Sequence, residues 1–446
     1  MKLPEKGTGR DELLTEMRAL QGGDADWRNG KIFSLVYFAG DDVAELLRET
    51  YAAFIYTNGL SVAAFPSLRK FESEVLAMTA ALLGSSEAAG NMTSGGTESI
   101  LMAIKTTRDW ARAQRPEVRE PEMVLPVTAH PAFEKAAHYF DVKPVHIPIG
   151  DDFRADVEAA RAAITDSTIL IVGSAPCYPY GTVDPIPALA ALAQERGICC
   201  HVDACVGGFL LPFLPRLGYK VPPWDFSVPG VTSISADLHK YGYTARGAST
   251  VMYRSKDLRR HQFFSYADWP GGLYGSPTMA GSRPGGAIAA AWAVMNYQGE
   301  DGYSRLARTA METARELMDG VNAVPGLHVM GTPDASAFSF TSDTVDIYAV
   351  GDAMDAHGWH LDRQQMPPKL HLVVTLAHQG IAPQFLADLR ESVAGIATEG
   401  PAPGGSAAMY GALGSMPDRG SVERVIRDFL DSATEAREEP LPAEKP

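Results

Sequence analysis

Residues 69–254 alternate between stretches with helical spacing of apolar side chains and short runs of branched apolar residues. Helical spacing and a terminal glycine in RKFESEVLAMTAALLG at 69–84 predict a helix, and TESILMAIKTTRDWARAQ at 97–114 predicts another. Five runs have the composition of buried strands: MVLPVT, PVHIPI, STILIVGS, ICCHVDA and VTSISAD. Helical candidates such as PIPALAALAQERG lie between them. This alternation predicts an α/β fold, with helices on both faces of a mostly parallel central sheet.

After about residue 300 the pattern changes to a helix, three short strand-like runs and another helix. This texture predicts a smaller C-terminal α+β domain. PAPGGS at 401–406 has the composition of a flexible link, and the charged stretch at 435–446 that of a solvated tail. We therefore expect an N-terminal segment at 1–58, a large domain at 59–305 and a small domain at 306–446.

Charge and composition narrow the class of protein. The 446 residues include 39 basic and 54 acidic side chains, a formal net charge of −15, which argues against nucleic acid or an anionic membrane as the main partner. No run approaches the roughly 20 apolar residues of a spanning helix, and the N-terminus lacks the apolar core of a signal peptide. We expect a cytoplasmic protein with no stable membrane insertion.

The cysteines are confined to one short region, at Cys177, Cys199, Cys200 and Cys205. Neighbouring cysteines on a strand point to opposite faces, so a disulfide framework is not expected. Their spacing also fits a zinc site poorly, and we predict no metal. Reduced thiols in the cytoplasm fit this pattern best.

The stretch NMTSGGTESI at 91–100 has two glycines and a threonine where a helix is predicted to begin. Free backbone N–H groups and the hydroxyl of Thr97 would suit a phosphate there. A glycine turn followed by a threonine cap also occurs in many helices that bind no ligand, so this motif alone is weak evidence.

Two further candidates follow predicted strands. Asp203 ends the ICCHVDA run, at the edge where open α/β sheets bind ligands, although it could equally cap the next turn. Lys240 follows the VTSISAD run in SADLHKYGY. A lysine buried beside apolar surface would have a depressed pKa and act as a nucleophile, whereas most lysines lie on the surface.

Together the three features are the parts that hold pyridoxal 5′-phosphate (PLP). Lys240 would form the Schiff base, Asp203 would keep the pyridine nitrogen protonated, and the helix N-terminus would bind the phosphate. The combination is far more specific than any of its parts.

Six segments resemble the sphingosine-1-phosphate lyase family, within the PLP-dependent group II decarboxylase-like enzymes: TSGGTESILMA, TAHPAFEKAAHYF, GSAPCYPYGTVDPIP, HVDACVGGFLLPF, SADLHKYGY and SPTMAGSRPGG. The resemblance extends from about Tyr37 to Tyr410 and is most specific in HVDAC and SADLHKYGY. It implies the PLP-dependent transferase fold type I, a homodimer, and an N-terminal segment that contributes to the dimer and the active site.

The resemblance also implies roles for the residues that would hold PLP. Lys240 would be the Schiff-base lysine, Asp203 would pair with the ring nitrogen, and His130 would stack on the ring. The remaining cofactor contacts would be Gly96, Thr97 and His239 at the phosphate, Ser282 from a second subunit, and Cys205, inert, against the ring. From the residues alone, His130 and His239 are better interpreted as satisfied core histidines.

On the substrate side the resemblance implies Tyr37 and Tyr178 beside the reacting centre and Tyr410 near the entrance. From the residues alone, these tyrosines could simply be packing. The family recognises the substrate phosphate through a histidine and a lysine, which are Ser61 and Arg246 in this chain. Arg246 keeps a cation that can bind phosphate. Ser61 loses one charge-assisted hydrogen bond, about ten- to a hundredfold in affinity.

The implied reaction is retro-aldol cleavage of the Cα–Cβ bond in a phosphorylated long-chain amino alcohol. It would release a fatty aldehyde and phosphoethanolamine, with Lys240 or one of the tyrosines moving the protons. Two alternatives remain open at this stage. One is a PLP-dependent amino-acid decarboxylase on the same scaffold, and the other is a relative that binds PLP or lipid without turnover.

Overall fold

The computed structural model describes residues 3–61, 63–399 and 406–435. The predicted link lies outside these ranges except for Ser406, and the predicted tail lies outside them except for Glu435. Within the described ranges, no helix is both long and apolar enough to cross a lipid bilayer.

A seven-stranded sheet forms the centre of the molecule. Its strands are β1 (Ala89–Thr93), β2 (Glu122–Pro126), β3 (Lys143–Ile147), β4 (Thr168–Ser174), β5 (Cys199–Asp203), β6 (Ser233–Ala236) and β7 (Ser249–Tyr253). Their order is β1-β7-β6-β5-β4-β2-β3, parallel from β6 to β3, with β7 antiparallel to both β6 and β1. The predicted α/β architecture is confirmed.

Helices precede, connect and follow the strands of this sheet. They are α1 (Arg10–Gln21), α2 (Asp41–Ala53), α3 (Pro66–Leu82), α4 (Gly96–Gln114), α5 (Ala132–Phe140), α6 (Val157–Ala163), α7 (Ile186–Arg196), α8 (Lys256–Arg260) and α9 (Gly285–Asn322). A two-stranded hairpin of β8 (Phe264–Tyr266) and β9 (Tyr274–Ser276) precedes α9. The helices predicted at 69–84 and 97–114 are α3 and α4.

A second, four-stranded sheet lies in the C-terminal part of the chain. Its strands are β10 (Leu327–Val329), β11 (Ala337–Ser342), β12 (Asp362–Gln364) and β13 (Lys369–Val373), all antiparallel in the order β10-β11-β13-β12. The remaining helices are α10 (Ile347–Ala356), α11 (Ala382–Glu399), α12 (Ala407–Ser415) and α13 (Arg419–Thr434). The boundary proposed at residue 305 falls inside α9, shortly after a kink at Gly299.

Most strands of the central sheet are buried on both faces, which explains their continuous apolar runs, whereas the edge strand β3 is partly exposed. Every residue of β2, β4, β5, β6 and β7 is buried. Since β4, β5 and β6 are parallel, their carboxyl ends meet at one edge, and the segments that follow them come together there. This edge carries the candidate site.

Candidate active site

Asp203 ends β5, and its carboxylate is held by neighbours on the same edge of the sheet. The Cys205 amide and the Ser235 hydroxyl donate hydrogen bonds to its Oδ1 atom, at 3.0 and 3.1 Å. Burial opposes ionisation, but the nearby His130 and the Cys205 hydrogen bond hold the pKa of Asp203 below its usual value. The side chain is therefore an anion ready to pair with a cationic partner.

The turn at 94–97 leads into α4 at close range to the end of β6. A Cβ atom at Gly96 would lie 2.8 Å from both Asp237 Oδ2 and Cys205 Sγ, so only glycine fits there. The residues Ser94, Gly95, Gly96, Thr97, Asp203, Asp237, His239 and Lys240 line a cavity of about 370 Å³, which we call the turn cavity. The helix N-terminus opens into this cavity, as phosphate binding requires.

His239 lies on the wall of the turn cavity beside the glycine turn. Burial lowers its pKa to about 4, so the ring is neutral at physiological pH. Its Nδ1 atom is buried and has no hydrogen-bond partner among the described residues. A buried polar atom without a partner, next to free helix N–H groups, fits a phosphate that would accept its hydrogen bond.

Lys240 forms an ion pair that the sequence analysis missed. Its Nζ atom lies 2.9 Å from Oδ2 of Asp237, a carboxylate that is almost fully buried. Burial of the amine opposes its charge, but Asp237 outweighs this effect and raises the pKa of Lys240 above its ordinary value. The expectation of a depressed pKa was therefore wrong. The signal was present in SADLHK, because an aspartate three residues before the lysine lies within reach of its amine.

Asp237 is fixed by a buried chain of hydroxyl groups. The Ser249 hydroxyl donates to Asp237 Oδ1 at 2.5 Å and lies 2.8 Å from the Ser99 hydroxyl. Ser99 in turn lies 2.6 Å from the Thr93 hydroxyl, just before the glycine turn. The chain ties the lysine's partner to the start of α4.

His130 and Cys205 lie between the turn and the substrate side. The Ala132 amide donates to His130 Nδ1 at 3.1 Å, which leaves Nε2 to carry the proton, and burial lowers the pKa of the ring. Burial raises the pKa of the Cys205 thiol well above its ordinary value. Both side chains line the turn cavity and also a second cavity on their other side, described next. These positions suit a ring that stacks on a ligand and a thiol that does not react.

A second cavity of about 370 Å³ adjoins the first, and we call it the tyrosine cavity. It shares four residues with the turn cavity: His130, Asp203, Cys205 and Lys240. Its other walls include Leu35, Tyr37, Tyr178, Arg246 and Val373. Lys240 therefore lines two neighbouring cavities, one beside the glycine turn and one beside the two tyrosines.

The two tyrosines of this cavity have different surroundings. Burial raises the pKa of Tyr37 to about 12 despite the nearby cations Lys240 and Arg246. The Arg246 guanidinium lies 5.7 Å from the centre of the Tyr37 ring. Burial, together with Asp362, also raises the pKa of Tyr178 well above its ordinary value. Both phenols are therefore protonated at physiological pH.

Tyr178 is bound to the small C-terminal sheet, which the sequence analysis did not foresee. Its hydroxyl donates to Asp362 Oδ2 at 2.6 Å, and Ser34 donates to Oδ1 of the same carboxylate at 2.8 Å. The ring of His371 lies 4.3 Å from that of Tyr178, centre to centre. Asp362 and His371 face each other on β12 and β13, so sequence distance hid the cluster.

Three predicted residues are not part of either cavity in the described chain. Ser61 is exposed, and its hydroxyl accepts a hydrogen bond from the Ala64 amide at 3.4 Å. Ser282 accepts a hydrogen bond from Asn58 of the same chain at 3.1 Å. Tyr410 packs beside Tyr348, with ring centres 5.7 Å apart. Their assigned roles stay predictions.

Comparison with known proteins identifies the class to which this fold and site belong. The model of the pyridoxal-dependent decarboxylase conserved domain matches residues 1–342. The glutamate decarboxylase of Lactobacillus brevis shares the fold, with a TM-score of 0.77 and 21% identity over 89% of this chain and 95% of that one. The chain is a PLP-dependent protein of fold type I, and PLP is its cofactor.

Closer relatives specify the family. The sphingosine-1-phosphate lyase of Arabidopsis thaliana is 48% identical over 96% of this chain and 80% of its own length. That of Saccharomyces cerevisiae is 38% identical over 97% and 75%, respectively. The structure of a Burkholderia pseudomallei sphingosine-1-phosphate lyase has a TM-score of 0.90 at 39% identity, covering 98% of both chains. This chain belongs to the sphingosine-1-phosphate lyase family.

Proposed function

We propose that this protein cleaves the Cα–Cβ bond of a phosphorylated long-chain amino alcohol, such as sphingosine 1-phosphate, by a retro-aldol reaction. The products would be a fatty aldehyde and phosphoethanolamine. The observation that carries the proposal is that Lys240 borders two connected cavities, one with a phosphate-binding turn and one with two tyrosines and a cation. The names of the closely matching relatives support the same substrate class.

PLP, when bound, supplies an electron sink for the bonding pair released at Cα. The protein's part is to hold it: Lys240 would bind it covalently, and Asp203 would pair with the ring nitrogen. His130 would stack on the ring, with Cys205 as an unreactive contact. The turn at Gly96 and Thr97, together with His239, would bind the phosphate.

The substrate phosphate needs a cation, and Arg246 is the candidate in this chain. It is exposed and lies at the wall of the tyrosine cavity, beside Tyr37. An arginine can bind phosphate through two parallel hydrogen bonds. We propose that Ser61 and Tyr410 add weaker contacts near the substrate entrance, and that Leu35 begins the path of the apolar chain.

We further propose a homodimer in which Ser282 reaches the cofactor phosphate of the other subunit. Exposed apolar side chains near that segment support a partner surface: Phe264, Trp269, Leu273 and Met279. The buried ion pair of Arg283 with Glu72, at 2.6 Å, fixes the segment on α3. We also propose a domain division at 59–305 and 306–446. The four buried, free cysteines support a proposed cytoplasmic location.

The assignment is tested by colour and product together. The purified protein should have an absorbance band at about 400 nm after addition of PLP, and Lys240→Ala should abolish that band. Incubation with a phosphorylated sphingoid base should release a fatty aldehyde. Release of carbon dioxide from an amino acid, with no aldehyde, would instead support a decarboxylase.

A further inference from the structure

The tyrosine cavity offers three groups that could take a proton from the substrate hydroxyl: Lys240, Tyr37 and Tyr178. Lys240 is paired with Asp237, and the proposed function assigns its amine to the cofactor. Tyr37 is a protonated phenol with no hydrogen-bond partner among the described residues to receive its own proton. Of the two tyrosines, only Tyr178 has an acceptor behind its hydroxyl in the part of the chain that the structure describes.

The acceptor behind Tyr178 is the Asp362 carboxylate. The Tyr178 hydroxyl donates to Oδ2 at 2.6 Å, so the oxygen's remaining lone pairs are free for a ligand in the cavity. Burial opposes the charge of Asp362, but His371, Tyr178 and Ser34 outweigh it and hold its pKa below the usual value. Asp362 is thus ionised at physiological pH and able to accept a proton.

His371 supports the same carboxylate from inside the small sheet. Its side chain is fully buried, and its Nδ1 atom lies 3.6 Å from Asp362 Oδ2. Neither ring nitrogen has a hydrogen-bond partner among the described residues. A polar ring without partners, aimed at a carboxylate and packed on Tyr178, is unusual in a core and indicates a role beyond packing.

We propose that Tyr178 and Asp362 act as one base for the bond cleavage, with His371 and Ser34 as positioning residues. This inference rests on the proposed retro-aldol function. The substrate hydroxyl gives its proton to Tyr178, while Tyr178 passes its own proton to Asp362. The O–H bonding pair forms the second bond of the aldehyde carbonyl as the Cα–Cβ bond breaks. PLP, when bound, would supply the electron sink for the pair from the Cα–Cβ bond. Asp362 ends this step neutral, and return of its proton through Tyr178 to Cα would complete phosphoethanolamine and restore the carboxylate, so no other reactant is needed.

Asp362→Asn keeps the size of the side chain but cannot accept a proton. We expect kcat of the holoenzyme to fall by about 10²- to 10³-fold, with the cofactor absorbance unchanged. Tyr178→Phe should lose a similar factor, and the double variant should lose no more than either single variant, because the pair acts as a unit. Asp343→Asn, an exposed carboxylate on the same small domain, should keep full activity.

Two readouts separate this role from simple packing. Ser34→Ala removes one hydrogen-bond donor that lowers the pKa of Asp362. The acid limb of the pH profile of kcat should therefore move to higher pH. Asp362→Asn should also lower the pKa of Tyr178, since Asp362 raises it. Subtracting the spectrum of a variant that lacks Tyr178 isolates the absorbance of the Tyr178 phenolate. This absorbance should appear at lower pH in Asp362→Asn, after subtraction of the double variant, than in the wild type, after subtraction of Tyr178→Phe.

The outcomes distinguish this inference from the function on which it rests. If the wild type releases aldehyde and loaded Asp362→Asn does so at the same rate, the relay is wrong. An unmoved acid limb in Ser34→Ala together with an unchanged Tyr178 titration would also overturn it, even if Asp362→Asn folds poorly. If the wild type releases no aldehyde from any phosphorylated sphingoid base, the proposed function itself fails.

Discussion

The turn cavity and the tyrosine cavity meet at Lys240 but draw their walls from different parts of the chain. The turn cavity is lined by residues between 94 and 240, all on or beside the central sheet. The tyrosine cavity adds Leu35 and Tyr37 from the N-terminal segment and Val373 from the small sheet. The cofactor side is therefore built on one rigid element, whereas the substrate side depends on three segments packing correctly.

The two carboxylates behind the reactive groups show the same contrast. Asp237 lies three residues before Lys240 and is fixed by local hydroxyl groups. Asp362 reaches Tyr178 from a distant strand of the small sheet. We infer that changes near Asp237 alter cofactor loading, while changes near Asp362 alter turnover of a fully loaded protein. The predictions that follow test this division, from the largest expected effect to the smallest.

Gly96→Ala should weaken PLP binding the most. The new methyl group would come within 2.8 Å of Asp237 and Cys205, so the turn or these buried side chains must shift, which would disturb the proposed phosphate site. We expect the dissociation constant of PLP, measured by absorbance titration, to rise about a hundredfold. Gly395→Ala, on α11 with no atom near its added methyl, should leave it unchanged. Equal affinity for both variants would contradict the close fit at the turn.

Asp237→Asn should change how fast the cofactor is taken up. Asp237 raises the pKa of Lys240, so its removal lowers that pKa and increases the neutral, nucleophilic fraction of the amine. Each unit by which the pKa of Lys240 falls corresponds to about tenfold faster uptake of PLP at neutral pH. The growth of the absorbance band across a pH series measures this. The control is Asp257→Asn, at an exposed carboxylate on α8, which should keep the wild-type pH profile. A profile of Asp237→Asn that matches the wild type would contradict the prediction.

Ser61→His should have the smallest effect, and only on the substrate side. Because Ser61 is exposed, an added cation would be screened by water, and we expect KM for the phosphorylated substrate to fall about two- to fivefold. KM for the unphosphorylated analogue should not change. Ser73→His on the exposed face of α3 is the control. An equal effect on both substrates would show that position 61 does not contact the phosphate.

Patterns local to the sequence predicted the architecture and most of the cofactor side. The buried strands and the residues at their carboxyl ends, such as Asp203 and Lys240, follow from apolar runs and short motifs. Neither β1 nor its antiparallel partner β7 was among the predicted strands, and AGNMT in β1 has Thr93 as its single β-branched residue. The edge strand β1 therefore forms through pairing with β7 rather than through its own propensity.

The substrate side was predicted only where the resemblance supplied a residue, as for Tyr37 and Tyr178. Nothing in LDRQQM or LHLVVTL marks Asp362 or His371, because their meaning comes from a contact between distant segments. The sign of the Lys240 pKa shift also escaped sequence reasoning. Burial alone predicts a depressed value, and the outcome depends on which charge lies nearest in space.

The close approach at Gly96 also limits how this chain can diversify. A side chain at position 96 would come too close to Asp237 and Cys205, so a substitution of Gly96 would need a compensating change at one of these residues. Arg246 and Ser61, by contrast, are exposed and can be replaced one at a time. Descendants of this sequence can therefore change the molecules they accept far more readily than the cofactor they use.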